Sequence, residues 1–233
     1  LAHRAFFARR GDSRRLVVFI EGDGIPWTHA GTRAAADPTG TRLVAMDLAA
    51  RTPDTVLYLG RPCYFGLARS AGCSEALWTS GRYSAAVVES MNAALTRFMD
   101  ERNLDEAVLV GHSGGGTLAV LMAERLSFVA AVITLAANLD VDAWTRAHGY
   151  LPLVGSLDPA TRPPLRESVL QLHLIAGKDR TVTREMSARY LNRLPQTAVW
   201  SFPDFDHACC WARDWPAIWM QIETRLTAAR VPR

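Results

Sequence analysis

The chain has 233 residues, 49% hydrophobic and 21% charged, and carries a formal net charge of +3. This is globular composition with enough apolar residues for one large α/β domain or two small ones. Arginine supplies 25 of the 26 basic residues, scattered except for Arg9-Arg10 and Arg14-Arg15, and no apolar run approaches membrane-span length, so neither a nucleic-acid stripe nor a transmembrane helix is encoded.

Residues 3–9 alternate weakly and 15–20 (RLVVFI) form a strong apolar run; with Gly11-Asp12 between them they predict two strands joined by a hairpin. Glycines and Pro26 in Glu21-Gly22-Asp23-Gly24-Ile25-Pro26-Trp27 then force a loop at the second strand's carboxyl end. Residues 41–51 predict a helix stopped by Pro53-Asp54, and 55–59 a strand, which makes a β-α-β unit. A loop over 61–83 holds Cys63, Cys73 and Trp78 with little periodicity. The helix predicted over 84–102 then places Val87, Met91, Leu95, Phe98 and Met99 on one face.

The next stretch, EAVLVGHSGGGTLAVLMAER over 106–125, organises the rest. Residues 107–111 suit a fully buried strand and 114–125 a helix apolar nearly all round, so strand breaks into helix at Ser113. In Gly111-His112-Ser113-Gly114-Gly115 the glycines two before and two after the serine leave room for a turn that would crowd any Cβ. This is a G-x-S-x-G nucleophile elbow in its expected strand-before, helix-after setting.

Residues 128–137 predict another buried strand. Residues 138–167, with four prolines and scattered apolar positions, read as a small cap insertion of about thirty residues, longer than ordinary connections. A strand over 168–176, a helix capped by Thr183 and ending before Pro195, a strand over 197–202 and a helix capped by Asp214 complete the chain. That last helix should turn Trp215, Ile218, Trp219, Ile222 and Leu226 inward. Strand and helix alternate with no linker or repeat, which predicts one domain over 1–233 built on a mostly parallel central sheet covered by helices on both faces.

A serine hydroxyl needs a base within hydrogen-bond reach and a third group to orient that base. In such sheets reacting groups sit just past the carboxyl ends of the strands, which selects Asp179 after 168–176 and His207 after 197–202. Ser113, Asp179 and His207 are therefore the candidate catalytic residues, with Asp204 and Asp206 as rival orienting carboxylates. The backbone N–H groups of Asp23 and Gly114 are the candidate oxyanion donors, and the Asp23 side chain is expected to turn away onto its own loop's backbone. Trp27 either walls the acyl pocket or fills core beneath the loop; Trp27 and His112 are the candidate substrate-binding residues. No His/Cys spacing suits a metal, so none is expected.

Adjacent Cα atoms across a trans peptide lie about 3.8 Å apart, shorter than a usual disulfide span, which argues against a Cys209–Cys210 bridge. Cys63 and Cys73 flank the loop YFGLARSAG and are the expected pair, with crossed pairings to Cys209 or Cys210 as the alternative and four reduced cysteines as the cytoplasmic one.

Three motifs, Gly111-His112-Ser113-Gly114-Gly115, Gly177-Lys178-Asp179-Arg180-Thr181-Val182 and Asp206-His207, make the chain resemble the α/β-hydrolase superfamily over residues 15–226. That resemblance implies the α/β-hydrolase fold and a serine hydrolase acting on acyl compounds, usually carboxylic esters, without a cofactor. More narrowly, residues 21–27 with Arg61-Pro62-Cys63 and Trp78-Thr79 resemble uncharacterised exported bacterial hydrolases, some of them lipoproteins. This implies a periplasmic or extracellular location and a membrane tether through a segment preceding Leu1. Glu21 departs from the wider family, many of whose esterases and lipases carry histidine before the oxyanion glycine. The cap's length favours small or medium acyl groups, with thioesters, amides and lipids as alternatives. The rival class is a hydrolase shell kept as a binding protein without turnover.

Overall fold

The computed structural model describes residues 1–29 and 31–230. Its elements run β1 (Ala5–Ala8), β2 (Arg15–Ile20), the two-residue strands β3 (Trp27–Thr28) and β4 (Arg33–Ala34), α1 (Val44–Arg51), β5 (Val56–Leu59), α2 (Ala85–Glu101), β6 (Glu106–His112), α3 (Gly114–Ala123), β7 (Val129–Leu135), α4 (Val141–Ala147), β8 (Leu170–Ala176), α5 (Ala188–Leu191), β9 (Val199–Phe202) and α6 (Trp211–Arg230). Seven strands form one sheet in the order β1-β5-β2-β6-β7-β8-β9, parallel throughout except for β1. The chain thus starts at one edge with β1, enters the sheet at β2, returns to β5 beside β1 and then advances from β6 to the other edge at β9, and every parallel strand ends on the same side.

The near-continuous apolar runs of β2, β6 and β7 follow from burial on both faces. Along β2, Leu16, Val18 and Ile20 pack with Met91, Leu95 and Leu118 of α2 and α3, whereas Val17 and Phe19 pack with Leu48, Trp215 and Ile222 of α1 and α6. Alternation along one strand therefore feeds two cores. Ser84 caps α2 by accepting the N–H of Val87. Helix α3 is buried on every side, which explains why its sequence shows no polar face.

Several expectations are corrected. The hairpin predicted around Gly11-Asp12 does not form, because β1 pairs antiparallel with β5 and not with β2. β2 already has β5 and β6 as parallel partners, and Thr55 anchors the returning chain by bonding both the N–H and the carbonyl of Arg10. Helix α6 begins at Trp211, so Asp214 lies in its first turn, with its N–H on the Cys210 carbonyl, and is not the cap. The helix predicted from Thr183 is a 3-10 turn over Glu185–Ser187 followed by the single turn of α5. The cap segment contains α4 and a 3-10 turn over Pro159–Thr161, whose amino end Asp158 caps.

Cys63 and Cys73 are bridged, with Cα atoms 5.7 Å apart. Cys209 and Cys210 are also bridged to each other, against the expectation from the trans spacing; their peptide is cis and their Cα atoms lie 3.2 Å apart. No helix among the described residues is long and apolar enough to cross a membrane.

Candidate active site

Ser113 joins β6 to α3 at positive φ, 53°, with ψ −126°, which a residue with a Cβ adopts only when its surroundings force it. The surroundings here are backbone. A Cβ on Gly111 would run into the carbonyl of Gly115, and a Cβ on Gly115 into that of Ile20, so only glycine lets strand, helix and the end of β2 approach this closely. The N–H of Ser113 is tied to Leu135 O at 2.9 Å, and its carbonyl accepts the N–H of Gly116, which fixes the turn from both sides.

His207 follows β9, and its Nε2 lies 3.0 Å from Ser113 Oγ. On the other side of the ring, Nδ1 lies 2.7 Å from Asp179 Oδ2. Asp179 follows β8, is 5% exposed, and accepts the N–H groups of Thr181 (2.7 Å) and Val182 (2.9 Å) on Oδ1, leaving Oδ2 to face the imidazole. The rival carboxylates are engaged elsewhere. Asp204 pairs with Lys178 at the surface (2.8 Å), and Asp206 accepts the N–H groups of Cys209 and Ala208, which lower its pKa from the ordinary value.

His112 borders the cleft, but its imidazole serves the His207 loop: Nε2–H donates to the His207 carbonyl at 2.7 Å, and Trp211 Nε1–H reaches the same oxygen at 3.3 Å. Its Nδ1 lies 3.6 Å from Glu21 Oε1. Glu21, buried at the end of β2, accepts the N–H of Ala45 in the first turn of α1 (3.0 Å) and that of Gly22 (3.2 Å). The residue that departs from the wider family thus anchors the loop to α1.

The loop after Glu21 lies against the serine, since a Cβ on Gly22 would sit 3.1 Å from Ser113 Cβ. The N–H of Asp23 has no acceptor among the described residues, and that of Gly114 opens the first turn of α3, where no intrahelical carbonyl is available. The Asp23 carboxylate does not turn onto its own backbone as expected. It meets Arg61 Nη1 (2.5 Å), Arg82 Nη1 (2.9 Å) and the hydroxyl of Tyr83 (2.7 Å), because two buried guanidinium groups offer a stronger partner than loop amides. Burial alone would raise its pKa, yet Arg82 and Arg61 outweigh burial and hold it well below the carboxylate range. Arg61 enters the sequence reading only as part of the narrower resemblance and Arg82 not at all, although Arg61 lies just past the carboxyl end of β5, where the strand-end rule finds it.

Ser113, His207, His112, Asp23 and Arg82 line a cleft of about 960 Å³. Ile25 and Trp27 line it too, the latter 42% exposed and thus not a core aromatic, as do Trp144, Tyr150 and Leu151 from residues 138–167. Among the described residues no group of three or more His, Cys, Asp or Glu side chains is placed to hold a metal ion.

A family model of the alpha/beta hydrolase fold matches residues 68–154, the part that includes the serine turn. No curated protein matches the sequence. Among solved structures, a protein of unknown function from Agrobacterium tumefaciens superposes with a TM-score of 0.65 at 12% identity, over 98% of this chain and 94% of that one. An alpha/beta hydrolase enzyme from a lagoon-sediment metagenome gives 0.61 at 14% identity over 98% and 97%. A lipase-esterase related protein from Clostridium acetobutylicum gives 0.61 at 12% identity over 95% and 98%. The chain has the alpha/beta hydrolase fold.

Proposed function

We propose that this alpha/beta hydrolase-fold chain is a serine hydrolase that cleaves carboxylic esters through an acyl-enzyme. One observation carries the reading: the unbroken series Ser113 Oγ, His207 Nε2, His207 Nδ1, Asp179 Oδ2, at 3.0 and 2.7 Å across its two gaps. With Nδ1–H donated to Asp179, Nε2 keeps its lone pair and accepts the Ser113 proton as Oγ attacks the acyl carbon. The N–H groups of Asp23 and Gly114 receive the carbonyl oxygen as it becomes an oxyanion. The imidazolium, held by Asp179, protonates the leaving alcohol, and water repeats the sequence to free the acid.

The apolar walls of the cleft favour an acyl group of small to medium size, with thioesters, amides and lipids as the other acyl substrates this arrangement could attack. The Cys63–Cys73 bridge supports an exported protein, because such bonds persist in oxidising compartments. A fluorophosphonate probe should label Ser113 in the native chain and fail on Ser113→Ala. Labelling that survives the substitution, or never occurs, would sink the assignment.

A further inference from the structure

The oxyanion loop is held by a device that the reaction scheme does not require and that nothing in the elbow motif predicts. Asp23 is gripped twice. Its carboxylate takes Arg61, Arg82 and Tyr83, and its carbonyl accepts the hydroxyl of Tyr64 at 3.0 Å. All four partners come from the long loop between β5 and α2, 38 to 60 residues away in sequence. Side chain and carbonyl being fixed, rotation about Asp23 is blocked, and among the described residues its N–H is the one polar group of Asp23 without a partner.

The grip extends to the second donor. A Cβ on Gly114 would collide with Asp23 Oδ1 and lie 2.5 Å from the Tyr83 hydroxyl, so carboxylate and phenol pack directly on the backbone that carries the Gly114 N–H. The clamp is itself stiff. The Arg61 guanidinium lies 5.1 Å from the Tyr64 ring centroid and 5.6 Å from that of Tyr83, and it donates to the Arg82 carbonyl at 2.9 Å. Arg82 Nε holds the Thr79 carbonyl at 2.7 Å, and the Cys63–Cys73 bridge with Trp78 braces the base of the loop. Burying two guanidinium groups and a carboxylate is costly, and apolar residues would fill the same volume at least as stably. What apolar residues could not do is orient a peptide group at the serine.

We infer that Arg61, Arg82 and Tyr83 are positioning residues that hold the N–H of Asp23 beside that of Gly114 and so complete the oxyanion hole. The inference rests on the serine-hydrolase reading above. Positioned donors act on the tetrahedral state more than on bound substrate, so their loss lowers kcat and leaves KM nearly unchanged.

The experiment measures kcat and KM on a p-nitrophenyl ester, the inhibition constant of a boronic acid that forms a tetrahedral adduct on Ser113, and the melting temperature, for Tyr83→Phe, Arg82→Lys and Arg82→Met. Arg82→Met should lower kcat about 100-fold, the lower end of the range for a lost oxyanion donor, and Tyr83→Phe, which leaves both arginines on Asp23, about 10-fold. Boronate affinity should fall in parallel, KM should shift less than about 3-fold, and Arg82→Lys should recover part of the loss. Unchanged kcat and boronate affinity, with only a lowered melting temperature, would reduce the clamp to a structural role and overturn the inference. Should Arg82→Met not fold, Tyr83→Phe, which removes one hydroxyl, decides by the same comparison. A wild-type chain that the fluorophosphonate leaves unlabelled would instead fail the hydrolase reading, and this inference with it.

Discussion

The two sides of the cleft reach the same rigidity by opposite means. At the Ser113 side the backbone is forced into shape by contact: glycines at 111 and 115 admit carbonyl oxygens that any side chain would repel, and the five residues of the turn include no carboxylate or guanidinium of their own. At the Asp23 side contact acts only on the flanking glycines, Gly22 against Ser113 and Gly24, with φ +64°, against Pro38, and Asp23 itself is fixed by a buried cluster of two arginines, its own carboxylate and two tyrosines braced by a disulfide. A steric turn is written in five consecutive residues. An electrostatic clamp is spread over sixty. The first tolerates no added atom, whereas the second tolerates no lost partner, and substitutions should separate them on that basis.

The largest effect is expected at the orienting carboxylate on the serine side. Asp179→Asn keeps an acceptor for the N–H groups of Thr181 and Val182 but presents an amide N–H to His207 Nδ1, which favours the tautomer that cannot accept the serine proton. Turnover should fall about 10⁴-fold with the melting temperature nearly unchanged. Steady-state kinetics beside a thermal melt check this, and a loss below about 10-fold would mean that another group orients His207.

Next comes the steric turn itself. Gly115→Ala places a methyl group against the Ile20 carbonyl, with Glu21 O at 2.6 Å, so the end of β2 must move away from α3. The expected cost is about 3 kcal/mol in a urea titration, at the upper end for overpacking because backbone and not side chain must yield. An alanine accepted without loss would show that this side has slack after all.

The electrostatic side should be weakened from a distance through its brace. Removing the Cys63–Cys73 bridge by Cys63→Ala with Cys73→Ala should cost about 2 to 3 kcal/mol on the chain-entropy account. It should also lower kcat, because Tyr64 follows Cys63 directly and reaches the Asp23 carbonyl. A non-reduced digest of the wild type should yield linked peptides for Cys63 and Cys73. Four alkylatable thiols in protein prepared under oxidising conditions would remove both the brace and the argument for export.

This contrast also explains what was readable from residues alone. Ser113, Asp179 and His207 stood out because strand ends in a parallel sheet are legible from apolar runs and the chemistry must lie just past them, and the structure brings the three together. The two sheet faces were legible in β2, whose alternate residues divide between the α2 and α6 sides. The partner of β1 was not, since a weakly alternating edge strand says nothing about which neighbour has a free edge. Nor was the clamp. Arg61 and Arg82 sit in an aperiodic loop among many scattered arginines; Arg61 stands just past a strand end, but only burial, 1% and 4% exposed, marks the two as a pair. The Cys209–Cys210 bridge escaped because the argument against it assumed a trans peptide.

The smallest effect near neutral pH lies outside both walls and sets the background against which they are measured. His173 in β8 is wholly buried, its Nδ1 2.8 Å from the Thr134 hydroxyl, while Nε2 has no partner; burial pushes its pKa down to about 3 from the ordinary 6.5. Between those values the unfolded chain binds a proton at this position and the folded chain does not, so stability falls as pH is lowered through the interval. The slope approaches about 1.4 kcal/mol per pH unit, amounting to about 1.4 kcal/mol at pH 5.5. His173→Asn keeps a partner for Thr134 and removes the titration. Its unfolding free energy should therefore vary less between pH 7 and pH 5 than that of the wild type, by about 2 kcal/mol. Asp23 contributes nothing to that window, because its depressed pKa withholds its loss of stability until pH drops below the usual carboxylate range. Equal slopes for His173→Asn and wild type in urea titrations at pH 7, 6 and 5 would show that His173 is protonated in the folded chain and that the acid sensitivity resides elsewhere.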